Sequence, residues 1–125
     1  MKFKTPIIEK EFLGAPLLLR MMLIDANNYS VRSFDKELTI TRIKASIEKS
    51  SGVHRDYRGA DCRDEYCDQL TFTPDEVKKI LDTINERYKR NDGFDSVIHH
   101  SFQGGPKHFH FQIAALTKAY MPKGE

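Results

Sequence analysis

Two cysteines, a near balance of charge and no long apolar run set the first limits on this 125-residue chain. Cys62 and Cys67 are too few for the disulfide framework of a small secreted protein. With no two further ligands close by, they do not make a zinc ribbon either, so a reduced, cytosolic origin is the default. Twenty Lys and Arg against eighteen Asp and Glu leave a formal charge of +2, too little for bulk attraction to nucleic acid or to an acidic membrane. The opening MKFKTPIIEKEF is interrupted by Pro6, Glu9, Lys10 and Glu11 before a signal-like apolar run can form. APLLLRMMLIDA is short and carries Arg20 and Asp25, so it reads as a buried helix, with Met21 and Met22 in the core, and not as a membrane span. No repeat, low-complexity tract or Pro/Gly/Ser linker divides the sequence. One domain over residues 1–125 is expected, large enough to bury a core unaided.

What is present sorts into a few elements. Pro16 suits the first turn of a helix that continues at helical spacing until the polar NNYS offers a stop. ELTITRI, rich in Thr and Ile, alternates Leu38, Ile40 and Arg42 against Thr39, Thr41 and Ile43, the pattern of a strand. The stretch from Lys44 to Tyr66 is polar and holds two glycines, with GADCR as a short strand within it, and a loop of that length in a small domain is functional or disordered. TPDE supplies an N-cap, a proline at the first helical position and a glutamate three residues after the cap. The helix it opens places Val77, Ile80, Leu81, Ile84 and Tyr88 on one face. DSVIHH and HFHFQIA then read as two strands joined through SFQGGPK. The expected class is α+β, a mainly antiparallel sheet with helices packed on one face.

The groups able to do chemistry gather in SGVHRDYRGADCR and HFHFQI. A two-residue period puts His108, His110 and Gln112 on one strand face and Phe109, Phe111 and Ile113 on the other, the core side. Same-face neighbours are about 7 Å apart along a strand, a spacing that suggests one metal ligand and one acid/base. His54 and Asp61 add a neutral imidazole and a carboxylate, and with one further histidine they form a three-ligand set that leaves zinc an open position, the mark of a catalytic site. His99 and His100 fall on opposite faces, and His100 is the one read as touching a ligand side chain or substrate. Asp56 and Asp64 read as solvated loop carboxylates. Cys62, next to Asp61, should face away from the site into the core as a small hydrophobe.

These motifs resemble the zinc D-alanyl-D-alanine carboxypeptidase superfamily, which includes phage L-alanyl-D-glutamate endolysins and the hedgehog signalling domain. The histidine-to-aspartate spacing of seven is reproduced by His54 and Asp61, the late strand histidine by His110, and the arginine of the preceding Thr-rich strand by Arg42. The order of elements is similar from about Glu37 to Ile113. Gly52, Tyr57 and Gly59 stand where that family's motif has serine, glycine and alanine, and Lys107 stands where many members carry an acid. Other members place a histidine two residues before the late ligand, which here is His108.

The resemblance implies Zn2+ held by His54, Asp61 and His110, with His108 as general base and Arg42 as the group that stabilises the oxyanion or anchors a substrate carboxylate. It implies a hedgehog/DD-peptidase-like fold and a peptidoglycan stem peptide as substrate, cut by a phage lysis enzyme. No nucleic acid and no membrane insertion is expected. Two alternatives stand beside it: a noncatalytic metal-binding virion or interaction protein of the same fold, and, behind that, a small nucleic-acid-binding domain using Arg55, Arg58, Arg63 and the ERYKR helix end.

Overall fold

The computed structural model describes residues 1–43, 58–101 and 104–114. In chain order the elements are β1 (Lys2–Phe3), α1 (Pro6–Leu13), α2 (Leu17–Phe34), β2 (Thr39–Arg42), β3 (Gly59–Arg63), β4 (Glu65–Tyr66), β5 (Gln69–Leu70), α3 (Pro74–Arg87), β6 (Val97–Ser101) and β7 (Lys107–Gln112). Five strands form a sheet in the order β1-β2-β3-β7-β6, while β4 and β5 make a separate hairpin. Within the sheet β1 runs parallel to β2 and every other neighbouring pair is antiparallel. The class is therefore α+β with a mixed, mostly antiparallel sheet. Among the described residues no helix is long and apolar enough to cross a membrane.

Two helices begin on the same chemistry. Thr73 caps α3 by accepting from the Glu76 amide, Glu76 Oε1 accepts from the Thr73 amide, and Pro74 fills the first position, where no amide proton is needed. Thr5 and Pro6 repeat this start without the glutamate, and Thr5 Oγ1 accepts from the Ile8 amide. That signal was legible in TPII, but α1 had not been expected.

α2 runs through NNYS instead of stopping there, because Asn27 and Ser30 are turned inward and given partners. Asn27 Oδ1 accepts from the Leu38 amide at 2.9 Å and Ser30 Oγ donates to the Lys36 carbonyl at 2.6 Å. Both side chains hold the chain returning to β2. The helix ends at Asp35, whose φ of 56° breaks the helical path. Its buried face is Leu19, Met22, Leu23, Ala26, Asn27 and Ser30. Met22 is core as expected, but Met21 is 49% exposed, one position off that stripe.

The core lies between the helices and one sheet face. Ile40, Ala60, Cys62, Val97, Phe109 and Phe111 from the strands meet Leu19, Leu23, Ile80 and Ile84 from α2 and α3. Asn85 clamps α3 to β6, its Oδ1 accepting from the Ser96 and Val97 amides and its Nδ2 donating to the Val97 carbonyl.

One correction bears on the site. Even alternation in ELTITRI would put Arg42 with Leu38 and Ile40. Instead Ile40 pairs with Cys62 and Arg42 with Asp61, so two residues of β2 oppose one of β3. This irregularity reverses the parity: Ile43 joins Leu38 and Ile40 in the core, and Arg42 lines the cleft with Asp61.

Candidate functional site

The register of three adjacent strands assembles the polar cluster. β3 pairs with β7 so that Asp61 lies opposite His110 and Arg63 opposite His108, while Ala60 and Cys62 meet Phe111 and Phe109 on the core side. β6 pairs with the other edge of β7, setting His100 opposite His108 and His99 opposite Phe109. Strand alternation then places Asp61, His100, His108 and His110 on the face turned away from the helices. Cys62 is fully buried on the opposite face, where burial first and the neighbouring Asp61 carboxylate second push its thiol pKa up. It stays a protonated apolar side chain, and Cys67 is a free, exposed thiol.

Asp61 is the centre of the cluster. His110 Nδ1 lies 2.7 Å from its Oδ1, and His108 Nε2 lies 3.8 Å from the same oxygen. The spacing along β7 therefore does not keep the two imidazoles from reaching one carboxylate atom. An ionised carboxylate only accepts, so the proton of the short contact sits on His110 Nδ1. His110 Nε2 is 3.1 Å from Gln112 Oε1. His108 Nδ1 donates to the Pro106 carbonyl at 3.2 Å, which leaves its Nε2 as the basic nitrogen, directed at Asp61. The His100 ring stacks at 4.5 Å from His108 and 5.8 Å from His110. Among the described residues its Nε2 is buried without a hydrogen-bond partner. Burial, and then repulsion from His108 and His110, lowers the His100 pKa.

Nothing in comparisons with protein-family models, curated proteins and solved structures matches the chain. The functional reading rests on the residues themselves. Imidazole nitrogen and carboxylate oxygen are the donor types zinc takes, and two such donors on one tetrahedral ion are about 3.3 Å apart, given bonds of roughly 2.0–2.1 Å. The 2.7 Å contact of Asp61 with His110 is that of a hydrogen bond, shorter than this separation, so the two groups would part by about 0.6 Å to share a cation. Among the described residues no three His, Cys, Asp or Glu side chains are placed to hold a metal together. The expected set includes His54, which, with Asp56, Gly52 and Tyr57, lies outside the described residues. The residues present fit two positions of a three-ligand site.

A cleft of about 600 Å³ opens beside Asp61 and His108. Its charged lining is mainly cationic, with Lys4, Arg42, Arg63 and Lys107 against Asp61 and Glu65. Lys107, exposed at the start of β7, shares the strand parity of Phe109 and Phe111, not that of the two histidines. The larger depression, about 770 Å³ along α3 and β6, carries His99 but none of the expected site residues.

Asp64 corrects the sequence reading: it is not a solvated loop carboxylate but 0% exposed. Its Oδ1 accepts from the Thr71 and Phe72 amides at 3.0 and 2.9 Å, and its Oδ2 lies 2.7 Å from His99 Nε2. The aspartate thus pins the β4–β5 hairpin to β6, on the helix side of the sheet. Nothing in the spacing of Asp64 and His99, 35 residues apart, signals this pairing.

Proposed function

We propose that this chain is a zinc peptidase of the D-alanyl-D-alanine carboxypeptidase and hedgehog-like type, cutting peptide bonds in peptidoglycan stem peptides as a phage lysis enzyme. The observation that carries the reading is the convergence of His110 Nδ1 and His108 Nε2 on Asp61 Oδ1 at the wall of a cationic cleft. Zinc, when bound by His54, Asp61 and His110, would polarise the scissile carbonyl and supply a nucleophile at neutral pH.

The chain's own groups have separate tasks. His108, its tautomer set by the Pro106 carbonyl, offers Nε2 to take a proton from attacking water and return it to the leaving amine. Arg42, aligned with Asp61 by the shifted register of β2, offers a planar fork to a carboxylate or to the developing oxyanion. Lys4, Arg63 and Lys107 add positive potential that suits the free carboxylates of a stem peptide. Lys107, where many members of the family carry an acid, favours a second reading, a noncatalytic metal-binding virion or interaction protein of the same fold.

Metal analysis after dialysis tests the site. About one tightly held zinc per chain is expected, lost in His54→Ala and in His110→Ala. Zinc retained in full by the His110→Ala protein would remove His110 from the ligand set. Zinc bound with no release of wall peptide would favour the noncatalytic reading.

A further inference from the structure

Beyond the site just proposed, and without needing the peptidase reading, the geometry points to a second metal position, held by the cross-strand pair His100 and His108. These residues are direct partners in the β6–β7 register, with ring centroids 4.5 Å apart. Opposed residues on one face of an antiparallel pair hold their Cβ atoms about 4.5–5.5 Å apart, so two imidazoles there can present nitrogens to one small ion without backbone movement.

Two observations, one from each ring, support it. Among the described residues His100 Nε2 is buried and has no hydrogen-bond partner, and the desolvation cost of such an atom is one that a bound cation would offset. His108 gives its Nδ1 proton to a backbone carbonyl, the arrangement that metal-bound histidines adopt, so the lone pair of the neutral ring lies at Nε2. That lone pair faces Asp61 Oδ1 at 3.8 Å.

Two imidazoles select a borderline divalent ion such as zinc or copper over magnesium or calcium. With fewer protein ligands than the three-residue set, this position should be the weaker of the two. An ion there would occupy the nitrogen that His108 needs as a base, so metal in excess should be inhibitory.

The test is zinc titration into the metal-stripped full chain by equilibrium dialysis, with circular dichroism to confirm folding. Wild type should bind two equivalents of zinc. The weaker equivalent should vanish in His100→Ala and His108→Ala, and the tighter one in His54→Ala. Where a variant does not fold, the imidazole resonances of wild type serve instead: zinc beyond the first equivalent must shift the ring signals of His100 and His108. A weaker equivalent kept by both variants, or resonances that do not move, overturns the pair as a site. A single equivalent lost in all three variants also overturns it, since there would be one shared site. An equivalent lost with His100 and His108 but indifferent to His54 supports the pair while removing His54 from the peptidase ligand set.

Discussion

Arg42 and Asp61 are register partners across β2 and β3, which makes the identity of the Arg42 cation testable apart from the metal. Replacing Arg42 by Lys keeps the charge but loses the two-pronged fork. Turnover should fall about tenfold, less than the roughly 100-fold or greater loss of deleting an oxyanion donor, with the tight zinc unchanged. Full activity in the Lys variant would take Arg42 out of the mechanism. His108→Ala should retain the tight zinc but lose about 100-fold or more in turnover, the usual contribution of a positioned base. Unchanged turnover would assign proton transfer elsewhere. His100 gives a pH prediction. Burial lowers its pKa from 6.5 in the native state, so the unfolded chain binds the proton more readily. Stability conferred by neutral His100 is present above about pH 6.5 and is lost as pH falls below it. The denaturant midpoint of metal-free protein should drop less steeply between about pH 7 and 5 in His100→Asn than in wild type. Parallel slopes would contradict the assignment.

At the scale of elements, period-two alternation located β7 and its two faces, because six residues pair without interruption and side-chain direction then follows from count alone. The same rule misplaced Arg42. A register irregularity costs no distinctive residue, so parity before it says nothing about parity after it. NNYS failed as a stop signal for a different reason: Asn27 and Ser30 found backbone partners beyond the helix, which composition does not show. The β4–β5 hairpin turns at Cys67 and Asp68, both with positive φ, without a glycine to announce it. Asp64 holds that hairpin, and Asp64→Ala would strand the Phe72 amide and His99, while the Thr71 amide keeps the Asp64 backbone carbonyl. A loss of about 3 kcal/mol or more in unfolding free energy is expected, as for breaking a buried pair. A loss under about 1 kcal/mol, near the value of an exposed ion pair, would show that the Asp64–His99 contact is not a structural anchor.

For the molecule as a whole, the α+β class and the α3–β6–β7 order were legible, because a capping box and two clean periodicities lie in that half of the sequence. The mixed character of the sheet was not, since β1 is two residues long and pairs with β2 through backbone contacts that leave no pattern. Asp61, His108 and His110 could be grouped from spacing and resemblance, whereas the place of His100 depends on the pairing partner of β6, a long-range fact. The central claim, that this cluster hydrolyses wall peptides with zinc, is tested most directly by incubating purified peptidoglycan with the zinc-loaded protein and weighing the soluble products by mass spectrometry. The account predicts stem-peptide fragments that carry the mass of added water, absent after zinc removal and in the His110→Ala protein. Intact stem peptides after incubation with folded, zinc-loaded protein would contradict it.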